Sequence, residues 1–502
     1  MPEKIGFQTT RETAIIRTPQ LQVMLTRWDW TLGQPLDNTP FDMTNFVIRY
    51  QFQKTIKTPA GGCQIDVVPQ IGDIHFMDYI STMDVVQIFE FGVLKYSGYV
   101  RRVSAVGRIM PDGKPVRLVT VVLQSFGNLF LEGHLGLNMF MRISDTANLN
   151  NIMLQFAGQI TDTINGGGSY GDLISTLINQ WLNYVGLASG STFYQQYISS
   201  WLETVSGTLG KRIPGAPKDT QIIYPFSEDM TLWDILQRTI EVPITELWFD
   251  EGPRSVQIEQ DQSLTQPTEV RLPNSITYLV CRQTPFNGTT INGDSVNMFD
   301  NMPSRKIPIN YLTGYELNKS MDESYSFYLA SPAIWKPGGD AGDPSAAMAM
   351  VATGQYVFDS LAFSKYLYRP LQKDMFFDRY FDSSSPNLDG SIGQLNQNAL
   401  DFADTLFEWF SNNDQFLNGS FTIEVPSDES LDPRIGDKIE FDGINDAYFY
   451  VEGITHDFIY GGPITSTLMV TRGYGLGRPI SLQDKLFKRG RFALGNQFDA
   501  PK

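Results

Sequence analysis

Reactive side chains are scarce in this sequence. Two cysteines, Cys63 and Cys281, and three histidines, His75, His134 and His456, are spread over 502 residues. Two cysteines allow at most one bridge, two buried free thiols are the expected state, and nothing requires an oxidising compartment. The histidines lack metal-ligand spacing and no cysteine cluster accompanies them, so neither a metal nor any other cofactor is expected. His456, inside a strand-like stretch, reads as a hydrogen-bonded structural residue. Positive charge is also short. The 38 Lys and Arg face 55 Asp and Glu, for a net charge of −17. That excludes a surface built to hold phosphate backbones, and leaves DNA only as cargo that passes without sticking. No apolar run approaches the ~18–20 residues that span a bilayer. The opening "MPEKIGFQTTRE" has no apolar signal core. A soluble protein, folded where it is made and without membrane insertion, is expected.

What the chain does have is apolar and aromatic mass. Hydrophobic residues make up 42% and aromatic ones 13%, with 33 Phe and 22 Tyr, which suits strand-rich domains and large interfaces. Residues 45–126 read as about five short strands ("NFVIRYQF", "GGCQIDVVP", "DVVQIFEF", "KYSGYVRRV", "VRLVTVVLQSF") joined by local turns. Over 146–205 the period becomes helical. "NGGGSYG" (165–171) lies there; without a GK[ST] ending or a preceding strand it reads as a connector, not a phosphate cradle. Residues 219–290 mix types: "TLWDILQRTIEVP" is a helix with a Thr cap, and "TELWFD" and "RSVQIEQ" a hairpin across "EGPR". Strands return at 307–331, helices over 343–415, and strands again over 419–474.

Two of the strand zones match each other. "DVVQIFEFGVLKYSGYVRRVSAV" and "GDKIEFDGINDAYFYVEGITHDF" each run from an aspartate (Asp84, Asp437) through a loop to a Tyr-led strand (Tyr96, Tyr448). Upstream, Tyr50, Phe52, Lys54 and Thr55 match Tyr315, Leu317, Lys319 and Ser320 in order and spacing, and each stretch rises to a proline, Pro69 or Pro332. The expected fold is α+β, mainly β: two similar small antiparallel β-barrels with helical insertions and an α/β subdomain. The expected divisions are 1–145 (first barrel), 146–218 (helical insertion), 219–306 (α/β subdomain), and 307–332 with 416–475 (second barrel). Residues 333–415 form a helical insertion in the second barrel, and 476–502 a basic C-terminal extension.

The residues also carry a family resemblance that covers most of the length. Glu246, Leu247, Asp250, Arg282, Pro285 and Phe286 follow a helix in an order similar to that of the baseplate hub proteins of phage tails and contractile injection systems, the late-control D group among them. "KYLYRPL" (365–371) resembles the family's Lys-Tyr-Gly-x-Arg-x-Leu stretch, with Leu367 in place of glycine, and the strands from "NGSFTIEVPSDESLDPRIGDKIEFD" onward resemble its closing barrel. The resemblance implies a non-enzymatic homotrimer with pseudo-sixfold symmetry around a central channel. It would join a hexameric tail-tube or distal-tail protein to a trimeric central spike protein, with baseplate wedge proteins as further neighbours. Its place would be the virion tail baseplate, after assembly in the host bacterial cytoplasm.

Two other functions compete: a tail-tip peptidoglycan hydrolase, and a receptor- or glycan-binding tail protein. A hydrolase needs paired carboxylates, and Asp374, Asp378 and Asp382, or Glu246 and Asp250, offer pairs. With 55 acidic residues any spacing occurs somewhere. The first set reads as helix-surface charge and the second as a hairpin edge. The receptor- or glycan-binding reading does not explain an internal duplication. The basic extension is a candidate partner-binding segment: Lys485, Lys488, Arg489 and Arg491 alternate with Leu486, Phe487 and Phe492, a mixture suited to an acidic, partly apolar surface.

Overall fold

A computed structural model describes residues 20–109, 115–133, 174–179, 181–182, 193–204, 231–239, 245–259, 268–272, 276–283, 287–289, 295–297, 302–332, 356–375, 403, 406–407, 409–411, 413–441, 447–475 and 489–492. Its first half is built from β1 (Leu21–Thr26), β2 (Val47–Thr55), β3 (Gly62–Val67), β4 (Val85–Glu90), β5 (Val93–Ile109) and β6 (Pro115–Ser125). These pair antiparallel in the order β2–β3–β6–β5–β4–β1. In β2 a bulge at Ile48 resets the alternation, so that Val47, Tyr50 and Phe52 all face inward. They pack with Cys63, Ile65, Val67, Ile88, Tyr96 and Val121 in one apolar core.

The middle of the chain is the α/β part. Thr231 caps the helix Leu232–Thr239: its hydroxyl accepts from the Asp234 amide at 3.1 Å, and Asp234 accepts back from the Thr231 amide at 3.1 Å. Strand β7 (Thr245–Glu251) pairs antiparallel with β8 (Thr277–Gln283). The expected hairpin between "TELWFD" and "RSVQIEQ" does not form; Arg254–Glu259 pairs with Thr268–Leu272 instead. Every residue from Glu246 to Glu251 is buried. A strand covered on both faces needs a partner apolar throughout, and "TYLVC" supplies this where "RSVQIE" alternates.

The second half comprises β9 (Ser304–Ile307), β10 (Leu312–Asn318), β11 (Leu417–Glu424), β12 (Lys438–Phe441), β13 (Ala447–Ile459) and β14 (Ile464–Gly475). Its antiparallel order, β10–β11–β14–β13–β12, repeats β2–β3–β6–β5–β4 strand for strand. The irregularities repeat too. A single 3-10 turn precedes β2 (Thr44–Phe46) and β10 (Ile309–Tyr311), and the bulge at Ile48 recurs at Thr313. The bulge at Arg101 in β5 recurs at Glu452 in β13. In the turns before β4 and β12, the Asp84 carboxylate accepts from the Ser81 amide at 2.8 Å and that of Asp437 from Arg434 at 3.0 Å. Met83 and Gly436 hold φ at 71° and 79° there. Tyr50 and Tyr315 occupy equivalent places, opposite Ile65 and Phe421.

Two parts of the expected match shift. Tyr99 and Tyr450 are the equivalent tyrosines, opposite Val85 and Lys438; Tyr96 and Tyr448 are one residue out of step, because the stretch from Asp84 to Tyr99 is two residues longer than that from Asp437 to Tyr450. Likewise Phe327–Pro332 is not the partner of β10; β11 takes that place. Phe327–Pro332 lies in a separate four-stranded sheet with Pro370–Met375, Tyr356–Asp359 and Arg489–Phe492. The segment 343–415 is therefore not helical throughout. It contains two of these strands beside the helix Ser360–Tyr366, which the Asp359 carboxylate caps at the Leu361 and Ala362 amides, both 2.9 Å away. Leu367, standing where the resembling family has glycine, ends that helix at φ 60°. Of the span 146–205, helix is described at 174–179, 181–182 and Phe193–Trp201.

The two curled, barrel-like halves are not separate. β13 pairs antiparallel with β2, which, with the short strand Phe41–Asp42 on β1, makes one 13-stranded sheet of both.

Candidate functional site

The seam where β13 meets β2 is the most elaborate polar region described. Gly453 stands opposite Thr55, His456 opposite Phe52, and Ile459 opposite Arg49. On the core side the His456 ring stacks on Phe52 at 4.6 Å, and Phe458 stacks on Tyr50 at 5.3 Å. Glu90 reaches both strands from β4. Its carboxylate accepts from the Tyr50 hydroxyl at 2.6 Å and lies 2.9 Å from His456 Nδ1. All three are buried. Beside them Lys95 pairs with Asp432, Lys54 pairs with Glu251, and Arg434 donates to the Glu251 carbonyl at 2.5 Å. Two ion pairs border the seam outside: Lys57–Glu452 at 3.3 Å and Arg49–Asp457 at 3.0 Å.

A second buried cluster fastens the α/β part to the second half. Arg282, 1% exposed, donates from Nε to Glu246 at 2.5 Å, and from Nη2 to the Gly436 carbonyl at 2.7 Å and the Tyr450 hydroxyl at 2.8 Å. The Tyr450 hydroxyl donates to Glu246 at 2.6 Å, and the guanidinium lies 4.8 Å from the Trp248 ring. At Gly436 a Cβ would stand 2.8 Å from Arg282 Nη2, so the close approach and the positive φ both call for glycine.

These contacts give the motif residues physical roles. Glu246 is a buried ion-pair partner on β7, not an exposed hairpin edge, and the Asp250 carboxylate accepts from the Glu251 amide at 2.9 Å. Asp374 lies on a strand rather than a helix surface, while Asp378, Asp382, Pro285, Phe286, His134 and "NGGGSYG" fall outside the described residues. His75 is exposed, whereas His456 is buried; Cys63 and Cys281 are buried and free. In the basic extension, Arg489, Arg491 and Phe492 belong to the strand that pairs with Tyr356–Asp359, and Lys485, Leu486, Phe487 and Lys488 lie outside the described residues. Among the described residues no helix is long and apolar enough to cross a membrane. Sequence reasoning missed the seam network, because Glu90, His456 and Tyr50 belong to three strands far apart in the chain.

Burial alone would push the Glu90 carboxyl up, but His456, with help from Lys95 and Tyr50, outweighs it and holds Glu90 below the usual carboxylate range. Asp432 follows the same pattern: burial opposes ionisation, and Lys95 and Arg434 more than compensate. A carboxyl whose folded-state pKa is depressed contributes stability above its unfolded value and loses it as pH falls through the folded one. For these two groups, stability is therefore expected to be present above about pH 5 and to fall as acid protonates Glu90 and Asp432 below about pH 4.5. Calorimetry across pH 2–6 checks this. The Glu90→Gln/Asp432→Asn variant should show a visibly flatter acid limb; an unchanged slope would mean that other carboxylates carry it.

No protein-family model matches the sequence, and no curated protein does. Among solved structures, the chain is similar to a tail protein from Neisseria meningitidis MC58, at 10% identity and a TM-score of 0.45, over 91% of this chain and 97% of that one. It is similar to the 43 kDa tail protein of prophage MuSo2 from Shewanella oneidensis, at 9% identity and a TM-score of 0.43, over 91% and 98% of the two chains. A Francisella PdpA–VgrG complex matches at 9% identity and a TM-score of 0.40, over 91% of this chain and 58% of that one.

Proposed function

We propose that this chain is the structural hub of a phage tail or contractile injection system. It works as a homotrimer with pseudo-sixfold symmetry around a central channel, joining a hexameric tail tube to a trimeric spike. The observation that carries the reading is the duplication: two halves of one strand order, with matching bulges and turns, lie edge to edge in a single sheet. A part that meets six subunits on one face and three on the other must itself be both, and three chains of two halves supply six similar units. The buried charges of the seam pair with one another, Lys54 with Glu251 and Lys95 with Asp432, a structural use that supports a non-enzymatic role.

A net charge of −17 per chain fits a channel wall that repels DNA in transit. The neighbours proposed are the tail-tube or distal-tail protein, the central spike protein and baseplate wedge proteins, in a virion baseplate assembled in the host bacterial cytoplasm. The basic segment from Lys485 to Phe492 is proposed as a docking element for one of these. The test is the mass in solution, alone and mixed with the spike protein of the same gene cluster. Three times the 56.6 kDa chain mass is expected. A stable monomer that degrades peptidoglycan would replace the hub by a hydrolase.

A further inference from the structure

The seam inside the chain has a counterpart left open at both ends of the molecule. Each half presents to its neighbour the edge strand β2 or β10, and accepts a neighbour along the C-terminal part of β5 or β13. One such junction is made within the chain, by β2 on residues 453–459 of β13. The other two edges are unused: among the described residues, no strand pairs with β10 on its side away from β11, nor with residues 102–109 of β5 on their side away from β6. Neither stretch, "LTGYELNKS" or "RRVSAVGRI", contains a proline, so every amide donor needed for a ladder is present. Unpaired edges of this kind are templates for another strand.

The equivalences set the register. Resting on the ring reading, we propose that β10 of one copy adds antiparallel to residues 102–108 of β5 in the next. Asn318 then stands opposite Ser104, Leu317 opposite Ala105, and Tyr315 opposite Gly107, as Gln53, Phe52 and Tyr50 stand opposite Thr455, His456 and Phe458 inside the chain. Continuing the template, Lys319 and Ser320 extend β10 to the length of β2, opposite Val103 and Arg102.

Two independent features support this pairing. The first is exposure. Tyr50 is 0% exposed, whereas its equivalent Tyr315 is 50% exposed. Ile56 is partly buried and donates its amide to the Glu452 carbonyl at 2.9 Å, while its equivalent Met321 is 52% exposed. The second half thus carries large apolar or aromatic side chains at the same positions without their cover, and Ala105 and Gly107 leave room for it on an exposed edge. The second feature is charge. Within the chain, Lys57 pairs with Glu452 at the β13 bulge. The equivalent positions at the open edges hold Asp322 and Arg101, both exposed. The signs are reversed on both partners, so complementarity survives, and an Asp322–Arg101 pair closes each junction between copies.

Hydrogen–deuterium exchange on the unmodified chain, above and below its assembly concentration, tests the ladder directly. Slower exchange in 102–108 and 314–320 on assembly supports it. The charge variants give a second reading. Arg101→Asp and Asp322→Arg are each expected to weaken assembly about three- to tenfold, and the double variant to restore it to within about twofold. If the protein is trimeric yet neither segment gains protection and the variants behave as the parent does, this edge pairing is wrong while the hub reading stands. A chain that is monomeric at every concentration overturns both.

Discussion

Replacing Arg282 by methionine is expected to lower stability by about 3–5 kcal/mol, the usual cost of removing one partner from a buried ion pair. The size follows from what would be left behind. Glu246 would lose its counter-ion in a site closed by Trp248 and Tyr450, and the Gly436 carbonyl would lose its donor. The damage is also positional. Arg282 lies on β8, Tyr450 on β13 and Gly436 in the turn before β12, so one guanidinium ties the α/β part to the second half. Urea unfolding should show a midpoint shift, and Arg282→Met with Glu246→Gln should recover a large share, because the stranded charge is then gone. A loss below about 1 kcal/mol would show that water reaches the site and relieves it.

Gly419→Ala is expected to cost about 2–4 kcal/mol, concentrated in β10. Gly419 holds φ at 152°, and a Cβ there would stand 1.9 Å from the Glu316 carbonyl oxygen of the paired strand. Backbone cannot yield that much without parting β10 from β11, which pair Leu317 with Gly419. The equivalent residue of the first half is Cys63, a buried side chain opposite Phe52, so the crowding belongs to the second half alone. Amide exchange in 312–318 should rise by orders of magnitude while that of β2 stays slow. Since β10 is also the edge proposed to meet the next copy, assembly should fall with it. Unchanged exchange in 312–318 would mean that the glycine is dispensable.

The sequence alone determined the parts that depend on local pattern. Alternation in "RYQFQK" and "GYELNK" placed Tyr50 with Tyr315 and Phe52 with Leu317 correctly, because strand period and spacing are properties of the residues themselves. The helix after Thr231 was legible for the same reason: a cap and its reciprocal partner sit three residues apart. The strand orders repeat as the duplication required.

Tertiary structure decided everything that depends on which segment meets which. Two extra residues between Asp84 and Tyr99 displace the count from the paired aspartates, so Tyr96 and Tyr448 match along the sequence while Tyr99 and Tyr450 match in space. Phe327–Pro332 has the residues of a strand, but its partners, Tyr356–Asp359 and Pro370–Met375, are distant in sequence and claimed it for another sheet. The seam is the extreme case. Glu90, Tyr50 and His456 carry no shared local signal, and their meeting follows only once β13 is laid on β2. Strand pairing is non-local, and a sequence shows that a strand has an edge without showing what will fill it.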